Sequence, residues 1–132
     1  MTTHQLIYMS EPFGFDDAML NGILSISRRN NMRDGLTGAL VCRRDIYLQL
    51  LEGPEANVEA TYARISGDDR HLAVTRLASE PAEARLFPDW AMLDDPARSW
   101  LWNEAQVAAG AVTHASTSEV RAVFERIARE HA

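Results

Sequence analysis

Two apolar segments separated by three residues constrain the fold of this chain more than any other feature. Residues 36–42 and 46–52 are almost continuously apolar, and Arg43, Arg44 and Asp45 connect them. A connection of this length predicts a β-hairpin. Strands without polar alternation are typical of the centre of a sheet that is covered on both faces. The rest of the chain must therefore supply a layer of structure on each side of this hairpin.

The other predicted elements place the hairpin inside an α+β fold. Their order, β-α-β-β-α-β-β, is that of a ferredoxin-like sandwich, in which a five-stranded mixed sheet carries two helices on one face. Apolar residues at helical spacing identify the helices, and Gly and Pro residues mark the ends of the elements. The elements beside the hairpin are predicted at residues 5–10, 16–31, 54–67, 72–79 and 85–93.

Two further helices are predicted near the C-terminus. Asp95-Pro96 is expected to open a helix that ends near Ala109. Ser116 and Glu119 have the spacing of a capping box at the start of the last helix. That helix carries an apolar stripe made of Val120, Val123, Phe124 and Ile127.

A ferredoxin-like sheet with both helices on one face leaves its other face uncovered. We expect residues 95–132 to form a helical extension that covers this face. The extension is too short for a second domain, so it is assigned to the same unit as the domain at residues 1–94. The alternative is that the apolar stripe of the last helix forms a dimer or partner surface.

Composition and charge exclude several kinds of chemistry. The net charge of −6 disfavours binding to nucleic-acid phosphates. All 13 basic residues are Arg, which excludes a Schiff-base lysine and the lysine of a Walker-type loop. Cys42 is the single cysteine and the His residues lack ligand-like spacing, so no metal site is predicted.

The chain carries no signal for a membrane or for secretion. No apolar run reaches the roughly 20 residues that a membrane span needs. The first strand follows the N-terminus without a basic leader. We therefore expect a cytoplasmic protein that does not associate with membranes.

A single amide interrupts the apolar run of the second hairpin strand. Gln49 lies between Leu48 and Leu50, where a buried amide without partners would cost on the order of 1–3 kcal/mol. Gln49 either bonds to neighbouring backbone, lies on an exposed edge, or has a dedicated partner. In this topology the first strand pairs with the third, which brings Tyr8 beside Gln49. A phenol facing an amide can form two different hydrogen bonds, because the amide presents either its carbonyl or its NH2 group.

Two adjacent amides, Asn30 and Asn31, are expected at the end of the first helix. Asn is common at helix ends, so helix termination accounts for them. The alternative is that the two amides bind a flat heterocycle with alternating donors and acceptors.

Six segments resemble motifs of the BLUF domain family, in unbroken order over residues 4–93. Each segment alone is a weak signal, whereas six in order at matching spacing are specific. They are LIYMS at 6–10, SRRNN at 27–31, GLTG at 35–38, LQLLEGP at 48–54, DRH at 69–71 and RLFPDWAM at 85–92.

The resemblance implies a blue-light sensor that binds FAD non-covalently between the two helices. Asn31 matches the Asn that bonds the C4 carbonyl and N3 edge of the flavin. Gln49 matches the switching Gln beside flavin N5, and Tyr8 matches the Tyr that donates an electron to the excited flavin. Trp90 and Met92 match a pair on strand five that relays the change. The other positions implied to line or flank the ring are Ile23, Ser27, Asn30, Arg64, Ile65 and His71.

The same resemblance implies a sensor rather than an enzyme, similar to short, stand-alone family members. Electron and proton transfer from Tyr8 would rearrange the hydrogen bonds of Gln49 and shift the flavin absorption to the red. Strand five and the C-terminal helices would pass this change to a downstream protein partner. A homodimer or a larger homo-oligomer is also expected. Outside the resemblance, ordinary structural roles account equally well for Arg64, His71, Trp90 and Met92.

Other functional classes share part of this pattern. The main alternative is a ferredoxin-like interaction domain without photochemistry, in which Tyr8 and Gln49 are satisfied without a ligand. An acylphosphatase-like hydrolase would need Arg and Asn at a phosphate-binding loop, and residues 28–31 are instead expected at a helix end. An RNA-binding module would need aromatic residues in the third strand, where Tyr47 is the single one. A flavin receptor of the cysteinyl-adduct type would need a motif around Cys42 that is missing.

Overall fold

The computed structural model describes residues 3–14, 16–68, 71–96 and 100–131 of the chain. Within these residues the chain forms five strands and four helices. The strands are β1 (Thr3–Pro12), β2 (Thr37–Arg43), β3 (Ile46–Gly53), β4 (His71–Ala82) and β5 (Leu93–Pro96). The helices are α1 (Asp17–Asp34), α2 (Glu55–Ser66), α3 (Glu104–Ala108) and α4 (Thr117–Glu130).

The described strands form one mixed sheet in the order β4-β1-β3-β2-β5. The β2–β3 hairpin lies inside the sheet, and β1 pairs antiparallel with both β3 and β4. Strand β5 runs parallel to β2. This topology confirms the ferredoxin-like α+β fold and the predicted pairing of the first and third strands. The register places Tyr8 directly opposite Gln49.

Helices α1 and α2 cover one face of the sheet. The side chain of Asp16 accepts a hydrogen bond from the backbone N of Met19 (2.7 Å) and so caps the start of α1. Gly35 ends the helix at φ 70°, a left-handed conformation that favours glycine. The apolar core on this face includes Leu6, Tyr8, Ile23, Leu24, Leu40, Leu51, Val58 and Met92.

Helix α4 covers the opposite face. The predicted capping box is present, with reciprocal hydrogen bonds between Ser116 and Glu119. The four residues of the predicted stripe are buried in one core cluster with the outer face of the central strands. These side chains therefore cover the sheet of their own chain, and the alternative that they form a partner surface is wrong.

The predicted fifth strand is wrong for residues 85–92, which form turns and bends, and β5 begins only at Leu93. Pro88 has no N–H to contribute to a strand ladder. The buried carboxylate of Glu52 also accepts backbone N–H groups that a ladder would need, from Leu86 (2.8 Å) and Phe87 (2.7 Å). Hydrogen bonds to the side chain of Glu52 therefore replace strand pairing at residues 86 and 87.

Two predicted helix boundaries are also wrong. Pro96 ends a strand instead of opening a helix, and α3 begins only after Asn103, whose side chain forms a capping box with Gln106. Residues 97–99 lie outside the described residues. Helix α1 continues to Asp34, so Asn30 and Asn31 lie inside it rather than at its end.

None of the helices in the described ranges combines the length and the apolar character needed to cross a lipid bilayer. The same ranges contain no group of His, Cys, Asp and Glu side chains arranged to hold a metal ion.

Replacing Phe124 by Ala tests whether α4 belongs to the cooperative core. Phe124 is fully buried and contacts the ring of Phe87 edge-on, with 6.5 Å between centroids. Phe124→Ala should lower the free energy of unfolding by about 3–5 kcal/mol, because it removes apolar contacts and leaves a cavity. Arg129→Ala, on the exposed side of the same helix, should change it by less than about 0.5 kcal/mol. Urea titration measures both values; equal effects would show that α4 unfolds separately.

Candidate functional site

A cavity of about 220 Å³ lies between α1, α2 and the sheet. Helix α1 contributes one of its faces, since residues spaced three and four apart point in the same direction. Helix α2 contributes its last turns, β3 contributes Gln49, and β4 begins at the cavity with His71. Every residue that the resemblance implied for the cofactor lines this cavity, namely Ile23, Ser27, Asn30, Asn31, Gln49, Arg64, Ile65 and His71.

The sequence prediction missed four other lining residues, which are Ile26, Leu51, Thr61 and Asp68. Helical spacing could have found two of them. Ile26 lies three residues after Ile23, and Thr61 lies four residues before Ile65, so each shares a helix face with a predicted residue. Strand alternation could have found Leu51, two residues after Gln49. The binding role of the residues around the cavity stays a prediction.

Gln49 forms the sheet side of the cavity and is 3% exposed. Its Oε1 accepts a hydrogen bond from the hydroxyl of Tyr8 on the neighbouring strand. Its Nε2 donates to the sulfur of Met92 (3.3 Å). Gln49 thus lies on the central strand and bonds to two side chains, so the alternatives of a backbone partner or an exposed edge are both wrong.

Tyr8 lies behind Gln49 and is fully buried. Its ring contacts the rings of Tyr62 and His71, with centroids 5.6 and 6.2 Å away. Burial raises the pKa of the Tyr8 phenol far above its ordinary value, and electrostatic interactions with Tyr62 and Asp68 add to this effect. The phenol is therefore a neutral donor whose proton points at the Gln49 amide.

Asn31 is the buried polar residue of α1, at 1% exposure. Its Nδ2 donates to the carbonyl of Ala91 (2.8 Å). Its Oδ1 is buried and has no hydrogen-bond partner among the described residues. An unsatisfied buried oxygen is rare in folded proteins because it loses water without compensation. Asn31 lines the cavity, and its Oδ1 is an acceptor for which the described residues provide no donor.

The segment 85–92 does not join the sheet, but it contacts two residues that line the cavity, Asn31 and Gln49. Its carbonyl groups accept hydrogen bonds from α1 and β2, from Gly38 N to Trp90 (3.1 Å), from Asn31 Nδ2 to Ala91 (2.8 Å) and from Arg28 Nε to Met92 (3.1 Å). Met92 is 1% exposed and lies beside Gln49, whereas Trp90 is 41% exposed and faces His131 edge-on at 6.2 Å. Of the two predicted relay residues, Met92 is therefore buried and Trp90 is exposed. Both precede β5 instead of lying on it.

Charged and polar side chains surround the opening of the cavity. The guanidinium of Arg64 is half-exposed and donates to Thr61 Oγ1 (3.0 Å) and Asp34 Oδ2 (3.3 Å). The hydrogen bond from Arg33, and more weakly that from Arg64, lowers the pKa of Asp34 to about 2. His71 is buried and its Nδ1 is hydrogen-bonded to the hydroxyl of Ser10 (2.8 Å). Asp69 and Arg70, which precede His71 in the motif DRH, lie outside the described residues.

Comparison with known families agrees with this geometry. The family model described as "BLUF: Sensors of blue-light using FAD" matches residues 3–93. The blue light- and temperature-regulated antirepressor BluF of Escherichia coli is 40% identical over 65 residues, which is 49% of this chain and 16% of that protein. The photoactivated adenylate cyclase subunit beta of Euglena gracilis is 34% identical over 74 residues, which is 55% of this chain and 9% of that protein. The chain therefore spans only a small part of these relatives.

Solved structures extend the similarity to nearly the whole chain. The dark-state structure of BlrB, described as a BLUF protein, is 29% identical and superposes with a TM-score of 0.80, covering 98% of this chain and 97% of that one. A bacterial light-regulated adenylyl cyclase is 28% identical with a TM-score of 0.70, covering 94% of this chain and 36% of that one. The photo-activated state of BlsA has a TM-score of 0.77 at 21% identity, which supports the fold alone.

The raised pKa of Tyr8 predicts a specific loss of stability in alkali. Below about pH 10 the phenol is protonated in both the folded and the unfolded state, so its full contribution to the free energy of unfolding is present. Above that pH the unfolded chain releases the proton and the folded chain keeps it, so the free energy of unfolding falls by up to about 1.4 kcal/mol per pH unit. Tyr8→Phe should remove this component. Urea titrations between pH 8 and about 11 measure it; parallel pH profiles for both proteins would contradict the burial of the phenol.

Proposed function

Since this chain belongs to the BLUF family, the sensors of blue-light using FAD, we propose that it is a photoreceptor that holds FAD non-covalently in the cavity between α1 and α2. The observation that carries the proposal is the hydrogen-bonded row Tyr8–Gln49–Met92, whose central residue Gln49 lines that cavity. A buried phenol and an amide with two different ends form a switch that needs only a rotation or a tautomeric change. The chain is proposed to act as a sensor and not as an enzyme.

The residues around the cavity fit a flavin ring. The unpartnered Oδ1 of Asn31 is suited to accept a hydrogen bond from a ring N–H. Ile23 on α1 and Ile65 on α2 would offer apolar surface to such a ring. Gln49 has a second N–H that is free to point into the cavity while the first contacts Met92. The residues proposed to hold FAD are Ile23, Ser27, Asn30, Asn31, Gln49, Arg64, Ile65 and His71.

Asn31 also distinguishes this proposal from the main alternative. An interaction domain without photochemistry requires that Tyr8 and Gln49 be satisfied without a ligand, and these two residues do bond to each other. The Oδ1 of Asn31 is not satisfied in the same way. A ligand with a donor at this point removes the cost of that buried oxygen, which is about 1–3 kcal/mol. The flavin-binding function is therefore favoured.

When bound, FAD would supply the absorption of blue light and a strongly oxidising excited state. Tyr8 is proposed to give up an electron, and its proton is proposed to pass to Gln49, whose Oε1 already accepts the phenolic hydrogen bond. When electron and proton have returned to Tyr8, the amide of Gln49 is left turned or in its other tautomer. Its contacts with Tyr8 and Met92 then differ from those before illumination, and that difference is the signal.

The signal is proposed to leave through the segment 85–92. Met92 contacts Gln49 directly, whereas Trp90 lies near the surface, so a change in the amide alters the position of a segment that extends to the outside. A single hydrogen bond contributes only about 0.5–1.5 kcal/mol, so a downstream partner must amplify the change. The proposed partner is another protein or a further copy of this chain.

An absorption spectrum before and after blue light tests the proposal. The purified protein should be yellow, and illumination should shift its visible bands to the red and reverse in the dark. Gln49→Leu should retain the flavin but lose the red shift, because Leu has no hydrogen-bonding group to exchange. Asn21→Ala, an exposed position on α1 away from the cavity, is the control and should respond as the unmodified chain does. A red shift that persists in Gln49→Leu would remove this residue from the switch.

Asn31→Ala tests the cavity as the binding site. Loss of the acceptor should weaken FAD binding by about ten-fold or more, since one hydrogen bond to a buried ligand contributes about 1.4 kcal/mol or more. Fluorescence titration of the apoprotein with FAD gives the dissociation constant. Asn21→Ala serves again as the matched control and should bind normally. Unchanged affinity in Asn31→Ala would move flavin recognition to another part of the chain.

A further inference from the structure

A second polar row crosses the sheet on the face that α4 covers. Its members stand directly opposite one another on neighbouring strands, with Glu80 on β4, Gln5 on β1, Glu52 on β3 and Thr37 on β2. On β1 and β3 this row lies three residues from the Tyr8–Gln49 pair. An odd number of residues places it on the opposite face of the sheet. We call these four residues the Glu52 row.

Glu52 is the centre of this row and is 0% exposed. Its Oε1 accepts hydrogen bonds from Gln5 Nε2 (3.0 Å) and Leu86 N (2.8 Å). Its Oε2 accepts them from Thr37 Oγ1 (3.0 Å) and Phe87 N (2.7 Å). A buried carboxylate is costly unless such donors surround it, so it holds the backbone of residues 86 and 87 firmly. The start of the segment 85–92 is thus fixed to the centre of the sheet.

The other end of the row reaches α4. Arg121 of α4 donates to the Oε1 of Gln5 and lies 3.9 Å from a carboxylate oxygen of Glu80. Gln5 is 1% exposed and uses both ends of its amide, the NH2 group toward Glu52 and the carbonyl toward Arg121. Its orientation is therefore fixed by these two partners. A continuous series of hydrogen bonds joins the segment 85–92 to α4 through the sheet.

We propose that the hydrogen bonds of Glu52, Gln5 and Arg121 are the route that couples the position of the segment 85–92 to helix α4. The inference rests on the proposed function and deepens it by naming the connection. One end of the segment contacts Gln49 through Met92 (3.3 Å), and its other end bonds to Glu52. A displacement at Met92 therefore changes the geometry at residues 86 and 87. The NH2 group of Gln5 bonds to Glu52, so Gln5 can move together with Glu52 only if the bond between its carbonyl and Arg121 also changes.

Hydrogen exchange measured by mass spectrometry on the full FAD-loaded chain tests the coupling. In the unmodified protein, blue light should change the exchange rates of α4 amides at 117–130 by about three- to ten-fold, the size expected from one altered hydrogen bond. Arg121→Met should keep the red shift but lose this difference between light and dark. Arg126→Met is the matched control. Arg126 lies on the same helix, over the ring of Trp100 and beside Glu130, and its substitution should preserve the difference.

A second variant tests the other end of the connection. Glu52→Gln retains the shape of the side chain but places an NH2 group where one backbone N–H now donates. Exchange at Leu86 and Phe87 should then rise in the dark, with or without FAD, and the light response of α4 should be lost. The flavin spectrum in the dark should not move, because Glu52 does not line the cavity.

Each outcome decides between the two proposals. A red shift without any change in α4 of the unmodified protein overturns the coupling and leaves the photoreceptor proposal intact. A light response of α4 that persists in both Arg121→Met and Glu52→Gln also overturns it. Absence of a red shift in the unmodified protein overturns the photoreceptor proposal and the coupling with it.

Discussion

The hydrogen bond from Tyr8 to Gln49 joins two adjacent central strands beneath both helices. Burial strengthens such a bond and removes water as a competing partner for either group. The rest of the site is arranged around it. Met92 takes the other end of the amide, Tyr62 and His71 pack against the phenol, and the cavity opens on the side of the amide that faces the helices. The bond depends in turn on strand register, since a slip of one residue would turn Tyr8 to the opposite face.

The sequence predicted those parts of the structure that depend on periodic patterns. The hairpin, the pairing of β1 with β3 and the buried stripe of α4 all follow from apolar spacing and chain order, and the structure confirms them. The positions around the cavity came from motif resemblance. Helical and strand periodicity then explains why Ile26, Thr61 and Leu51 join them.

Errors occurred where long-range polar contacts override local pattern. Residues 85–92 look like a strand, but Glu52 withdraws two of their N–H groups from any ladder. Asn31 is typical of a helix end, but the helix continues to Asp34 and the Asn31 side chain bonds to Ala91 instead of ending the helix. Both contacts join residues that are far apart in the sequence, by 34 to 60 positions. No local window contains that information.

The cavity and the cover of α4 lie on opposite faces of the same sheet, and they share almost no side chains. The pocket is complete by residue 71, whereas α4 begins at Thr117. Substitutions that remodel one layer therefore leave the packing of the other largely untouched. The two layers therefore communicate through the strands and through the polar contacts of Glu52 and Gln5, and not through shared apolar packing.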